Sequence, residues 1–139
     1  MTAALGVILD DSSNTQTFFG GGKADNASKH TSSTRNSHNN DITAIAISAD
    51  RSFCATGQVG REPVGFTWCS TTGEKRARYQ LDRGSRGVAA ISVSSDNKFV
   101  ALVDRHNDHH VYVFDADSGS QVSKAKGDGN MIYDICFTQ

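Results

Sequence analysis

Three imidazoles and a carboxylate crowd into five residues, His106-Asn107-Asp108-His109-His110. Imidazole nitrogen and carboxylate oxygen suit zinc and similar divalent ions, so this stretch carries the metal-ligand chemistry of the chain. Its spacing matches zinc motifs poorly, and alternating strand geometry would separate His109 from His110. A solvated polar loop is the simpler reading. The rival is a metal-binding protein or metalloenzyme using His106, Asp108, His109 and His110. Nucleophilic chemistry would need Cys54 or Cys69 beside His38, but Cys54 falls inside an apolar run, where cysteine usually serves as a small core residue. Gly20-Gly21-Gly22 lacks both the Lys-Ser/Thr ending and the following helix of a phosphate loop. No catalytic residue, cofactor or metal ligand is assigned, and the chain is expected not to be an enzyme.

The elements that hold these residues repeat. Ile45-Ala46-Ile47-Ser48 returns as Ile91-Ser92-Val93-Ser94 and again as Ile135-Cys136-Phe137-Thr138, at intervals of 46 and 44. Asp50 maps to Asp96, Trp68 to Phe114 and the turn glycine Gly73 to Gly119, each 46 apart. A period of about 40–45 residues with an aromatic-Asp step (Phe114-Asp115) predicts four-stranded blades of a WD-type β-propeller. The expected fold is all-β: a partial propeller of two complete blades, a leading hairpin and a trailing strand. Residues 1–20 read as the hairpin of a preceding blade, 21–41 as a mobile polar insertion without large apolar residues, 42–81 and 82–126 as blades, and 127–139 as the first strand of a following blade. Both faces of Ile42–Ser48 are apolar, as a sheet covered on both sides requires. Strand D of the first blade is charged (Lys75, Arg76, Arg78), as an outer edge that resists further pairing should be. Three or more units are needed to bury a stack, so missing blades or a partner chain are expected to complete the fold.

Net charge is −1 and the sequence pI near 6.5, which gives no electrostatic case for nucleic acid or an anionic membrane as partner. No run approaches the roughly 20 apolar residues of a membrane helix. The first residues, Met1 to Leu9, lack a basic leader and make a poor signal peptide. Cys54, Cys69 and Cys136, odd in number and without C-x-x-C spacing, fit free thiols in a reducing compartment, the cytoplasm.

Ala55-Thr56-Gly57-Gln58-Val59-Gly60-Arg61-Glu62-Pro63 is similar to the Ala-Thr-Gly-Gln-Val-Gly-Lys-Glu-Pro string of the echinoderm microtubule-associated protein-like (EML) family. Ser37-His38-Asn39-Asn40-Asp41-Ile42 resembles that family's blade opening, and Met131-Ile132-Tyr133-Asp134-Ile135 resembles its next one. The resemblance spans nearly the whole chain outside the Gly20–Ser37 insertion. It implies a non-catalytic cytoskeletal scaffold that binds tubulin or microtubules and, in some members, ciliary or axonemal proteins; a generic WD-repeat adaptor of an unrelated complex is the alternative. Ser37, Ser85 and Asp128 break the Gly-His pairs that open WD blades, leaving His38, Thr56 and Trp68 as the structural blade network. The protein-binding candidates are Arg61, Arg83, Arg86 and Arg105 on the loop face, with Lys23, Lys29 and Arg35 in the insertion. Against these seven basic residues stand Asp25, Asp41, Glu62, Asp82, Asp104, Asp108 and Asp128, so the charge count of the face sums to zero.

Overall fold

Short β-prone runs broken by Asp, Ser, Asn and Gly leave the chain few options beyond hairpins, and ten strands form among the described residues. The computed structural model describes residues 4–20, 36–61 and 63–138. The strands are β1 (Leu5–Asp10), β2 (Thr15–Gly20), β3 (Ile42–Ile47), β4 (Phe53–Gln58), β5 (Val64–Cys69), β6 (Lys75–Gln80), β7 (Val88–Val93), β8 (Phe99–Asp104), β9 (Val111–Asp115) and β10 (Gln121–Ala125). β1 and β2 form a two-stranded hairpin, while β3-β4-β5-β6 and β7-β8-β9-β10 form two antiparallel meanders. Lys75 and Arg76 are exposed on the outer strand β6, at the edge of its sheet.

Blade one (β3–β6) and blade two (β7–β10) share their turns in detail. Between the first two strands, Ser48 donates to Asp50 Oδ1 at 2.8 Å and accepts from the Phe53 amide at 3.0 Å. Ser94, Asp96 and Phe99 repeat this at 2.6 and 2.9 Å. The following residues, Arg51 and Asn97, adopt φ of 60° and 62°. Between the third and fourth strands Gly73 and Gly119 both sit at φ 72°, and a Cβ at either would lie 2.3 Å from Phe18 O or 2.5 Å from Arg78 O. Glycine is required there twice over, by φ and by the close approach of the preceding unit. Phe18 therefore occupies on β2 the place Arg78 occupies on β6. The hairpin β1–β2 stands where the last two strands of a preceding blade would.

Blade one is packed on both sides. Its inner face, with Ala44, Phe53, Ala55, Ala77 and Tyr79, meets Val88, Ile91, Val100, Leu102, Tyr112 and Phe114 of blade two in the main core. Its opposite face, with Cys54, Val64, Phe66 and Trp68, meets Phe19 and Ile8 of the hairpin. A large side chain buried this way contributes about 1.5–3 kcal/mol relative to exposure. Polar ties cross the blade interface: Tyr79 OH donates to Ala116 O at 3.0 Å, and Thr43 Oγ1 donates to Val88 O at 2.8 Å.

Two expectations are corrected. Ile45 and Ile47 are 62% and 54% exposed, although the apolar pattern of β3 predicts cover on both faces. The hairpin supplies only two strands, which shield β4 and β5 but do not reach β3. No strand forms over 131–138, where the repeat predicts the opening strand of a further blade. A strand needs a ladder partner, and among the described residues no neighbour offers one.

Candidate functional site

The sequence places His38 inside the polar insertion, yet its ring is fully buried against blade one, edge-on to Phe66 with centroids 4.8 Å apart. His38 Nδ1 lies 2.8 Å from Gln58 Oε1, and Nε2 lies 2.7 Å from Thr56 Oγ1. Trp68 Nε1 donates to the same Thr56 oxygen at 2.8 Å. The proton positions follow from the partners. Gln58 Oε1 only accepts, so Nδ1 carries the hydrogen and Nε2 presents a lone pair to the Thr56 hydroxyl. The relay then runs Trp68 to Thr56 to His38 to Gln58. Burial pulls the His38 pKa down to about 4, against a smaller opposing effect of the Gln58 bond. The neutral ring that this relay requires is therefore the stable form at neutral pH.

Gln58, absent from the predicted network, anchors it. The amide also accepts from the Asn39 N–H at 3.2 Å and donates to Asn39 Oδ1 at 2.8 Å, tying the segment before β3 to the end of β4. The available signal was the offset: Gln58 stands 46 residues before Asp104. Asp104, only 1% exposed, is the corresponding anchor of blade two. Its Oδ1 accepts the His106 and His110 amides at 3.1 and 2.8 Å, and its Oδ2 receives His110 Nδ1 and Tyr112 OH, each at 3.2 Å. Trp68, Phe66 and Phe114 are buried between units and leave no open stacking surface. Burial also lifts the Cys54 thiol to about 12, so it stays protonated, and both His38 nitrogens are already engaged. That pair has no nucleophilic chemistry available.

The connections at 59–61, 82–87 and 105–110 gather on one face. Gly60 N donates to Arg86 O at 3.0 Å, Val59 bridges Gly87, and Arg105 N donates to Gly87 O at 2.8 Å. Arg61, Arg83, Arg86 and Arg105 are all exposed, and among the described residues none joins an ion pair. Lys23, Lys29 and Arg35 lie outside the described residues, as do Asp25 and Glu62. The charge count over the described part of this face changes with the structure. Asp104 is buried, Asp82 is paired with Lys124, and Asp108 with Lys126 at 2.9 Å. At the surface four exposed arginines then stand with Asp41 and Asp128, while Asp104 keeps its charge out of solvent contact. Arg86 and Arg105 border a groove with Ala89, Met131, Ile132 and Tyr133, of which Met131 and Tyr133 are well exposed.

The His106–His110 stretch divides. Nitrogen and oxygen atoms of His106, Asp108 and His110 lie within 4.8 Å of one another. His109, at φ 43°, turns its Nδ1 to Asp128 O at 3.1 Å.

No protein-family model matches the chain. It is 48% identical over 137 residues to the ciliary WD repeat-containing protein ctxp80 of Euplotoides octocarinatus, a match that covers 99% of this chain and 19% of that protein. The chain thus spans about a fifth of that relative's length. Among solved structures, the WD40 repeats of RRP9 superpose with a TM-score of 0.53 at 21% identity, over 63% of this chain and 26% of theirs. The β-propeller domain of Cps50 (Swd1) from Myceliophteria thermophila gives 0.55 at 14% identity, over 67% and 27%. With the meander order, the repeated turns and the His–Thr–Trp relay, these likenesses make the chain a two-blade segment of a WD-type β-propeller.

Proposed function

We propose that the chain is a non-catalytic scaffold segment of a ciliary, microtubule-associated assembly, and that its arginine-bearing loop face docks on an acidic protein surface such as that of tubulin. The observation that carries this reading is the set of four exposed arginines on loops stitched together by backbone hydrogen bonds. Loops fixed in this way present charge without a large ordering cost on binding. Guanidinium forks also match carboxylates bidentately. Arg61 is the leading contact. It sits in the Gln58–Pro63 string most similar to the EML pattern, where Pro63 fixes the backbone entering β5. The name of the ciliary relative supports the setting, and the groove beside Arg86 and Arg105 adds apolar surface for a partner. Missing strands supplied by further blades or a partner chain would cover Ile45 and Ile47.

The test is the double reversal Arg61→Glu with Arg83→Glu, in the chain joined to blades that complete the propeller, measured by microtubule co-sedimentation across salt. A single exposed pair is worth under about 1 kcal/mol, so binding should weaken by roughly tenfold at low salt and its salt slope should flatten. Unchanged binding with an unchanged slope rejects this face.

A further inference from the structure

We propose that His106, Asp108 and His110 form a binding site for a borderline divalent transition-metal ion, with Zn2+ as the type, oriented by the buried carboxylate of Asp104. The three side chains project from the loop between β8 and β9, partly exposed and open to solvent. Their ligand atoms fall within 4.8 Å of one another, and His106 Nδ1 and Asp108 Oδ2 are 3.8 Å apart. Ligand atoms around a tetrahedral zinc stand about 3.3 Å apart, given bond lengths near 2.0 Å. Rotation of side chains on a surface loop closes that difference.

One imidazole lone pair is already free. His110 Nδ1 donates to Asp104 Oδ2 at 3.2 Å, which leaves Nε2 as the unprotonated nitrogen. A buried carboxylate behind a histidine is the arrangement that fixes tautomer and ring direction at metal sites. His106 Nδ1 accepts the Asp108 amide hydrogen at 3.2 Å, so its lone pair is held by that bond and a metal ion at Nδ1 would displace the amide hydrogen. The two rings lie side by side with centroids 4.8 Å apart. Asp108 can ligate through Oδ2 while Lys126 keeps Oδ1. Two imidazoles and one carboxylate are a ligand set for zinc, nickel or cobalt rather than calcium or magnesium. The fourth position falls to water.

Blade one supplies an internal control. Residues 46 positions earlier are Gly60 for His106 and Val64, fully buried, for His110, so the same loop there offers no imidazole. The cluster belongs to this loop and not to the blade plan. Bound metal would clamp 104–110 and add positive charge beside Arg105.

The test is calorimetric titration of the 139-residue chain with Zn2+, paired with Co2+ absorption to report the ligand field. One equivalent should bind with micromolar affinity, and the Co2+ spectrum should show low-symmetry nitrogen and oxygen ligation. His106→Ala and Asp108→Asn should each weaken binding by at least tenfold. Asp104→Asn should weaken it by roughly 10–100-fold through loss of the orienting bond. His109→Ala should bind as the parent does. His110→Ala also disturbs Asp104, so His106→Ala, a surface change, decides the matter. Absence of saturable binding, parental affinity in His106→Ala, or an equal loss in His109→Ala overturns the site.

Discussion

Thr56, Gln58 and Trp68 of blade one become Leu102, Asp104 and Phe114 of blade two, each 46 residues on, and His38 gives way to Ser85. Blade one meets the hairpin with a buried polar relay set among Phe19, Phe66 and Trp68. Blade two meets blade one at the same positions with aliphatic and aromatic carbon. The changes are coherent: Phe114 has no N–H to satisfy, so Leu102 strands nothing, and Asp104 finds new donors in His110 and Tyr112. The relay is therefore one of two ways to fill the space between blades, provided every buried polar atom changes together. What the backbone demands outright is the turn chemistry, which both blades keep.

Removing the aromatic at the matched position should have the largest effect and should treat the blades alike. Trp68→Ala and Phe114→Ala should each cost about 3–5 kcal/mol, read from urea unfolding. A loss at Trp68 several times that at Phe114 would mean that the relay, and not packing, dominates blade one.

The next effect should separate the blades. The folded pKa of His38 is about 4 against 6.5 for the free side chain, so between these values the unfolded chain binds more protons. Stability present above pH 6.5 is lost as pH falls toward 4, by about 3 kcal/mol in total at 1.36 kcal/mol per unit. Asp50 is held down to about 2 by the Ser52 amide and by the Ser48 and Ser52 hydroxyls, and Asp96 is lowered chiefly by the Ser94 hydroxyl. Their loss falls below the His38 window. His38→Gln should flatten the slope of stability between pH 6.5 and 4; an unchanged slope would locate the proton elsewhere.

Thr56→Val keeps shape but leaves Trp68 Nε1 and His38 Nε2 without a partner, at a cost of about 1–3 kcal/mol. Leu102→Val at the matched position removes one methylene and should cost about 1 kcal/mol. The sharper measurement is the Thr56→Val, Trp68→Phe double-mutant cycle. Pairwise coupling of 0.5 kcal/mol or more is expected for residues sharing a bond, and strict additivity would dissolve the relay as a unit.

Strands and turns were legible because the repeat states them twice: Ser48 and Ser94, Asp50 and Asp96, Gly73 and Gly119 do the same thing in the same place. What escaped was partnership across the sheet. Gln58 reads as an ordinary polar residue until His38 is seen behind it, and Asp104 counts as surface charge until its four donors are found. Ile45 and Ile47 carry the right pattern for a covered face, but pattern records what a strand is suited to meet, not what is there.

The smallest effect on stability should come from Ile45 and Ile47, and it exposes the plainest asymmetry between the blades. Their counterparts 46 residues on, Ile91 and Val93, are buried or partly buried against blade one. Ile91→Ser should therefore cost several kcal/mol in unfolding, in the range of large-to-small core changes of about 2–5 kcal/mol. Ile45→Ser and Ile47→Ser remove side chains more than half exposed, and should each shift stability by no more than about 0.5 kcal/mol. Their consequence lies in association. Two branched aliphatic side chains exposed on one face of a strand, with Leu5, Val7, Leu9 and Phe18 exposed on the hairpin, are apolar surface of the kind that draws chains together. The 139-residue chain should self-associate in light scattering, and the double serine variant should shift toward monomer with its thermal transition nearly unmoved. A parent that is already monodisperse, or a variant with the same size distribution, would show that this face is tolerated by solvent and that β3 needs no cover.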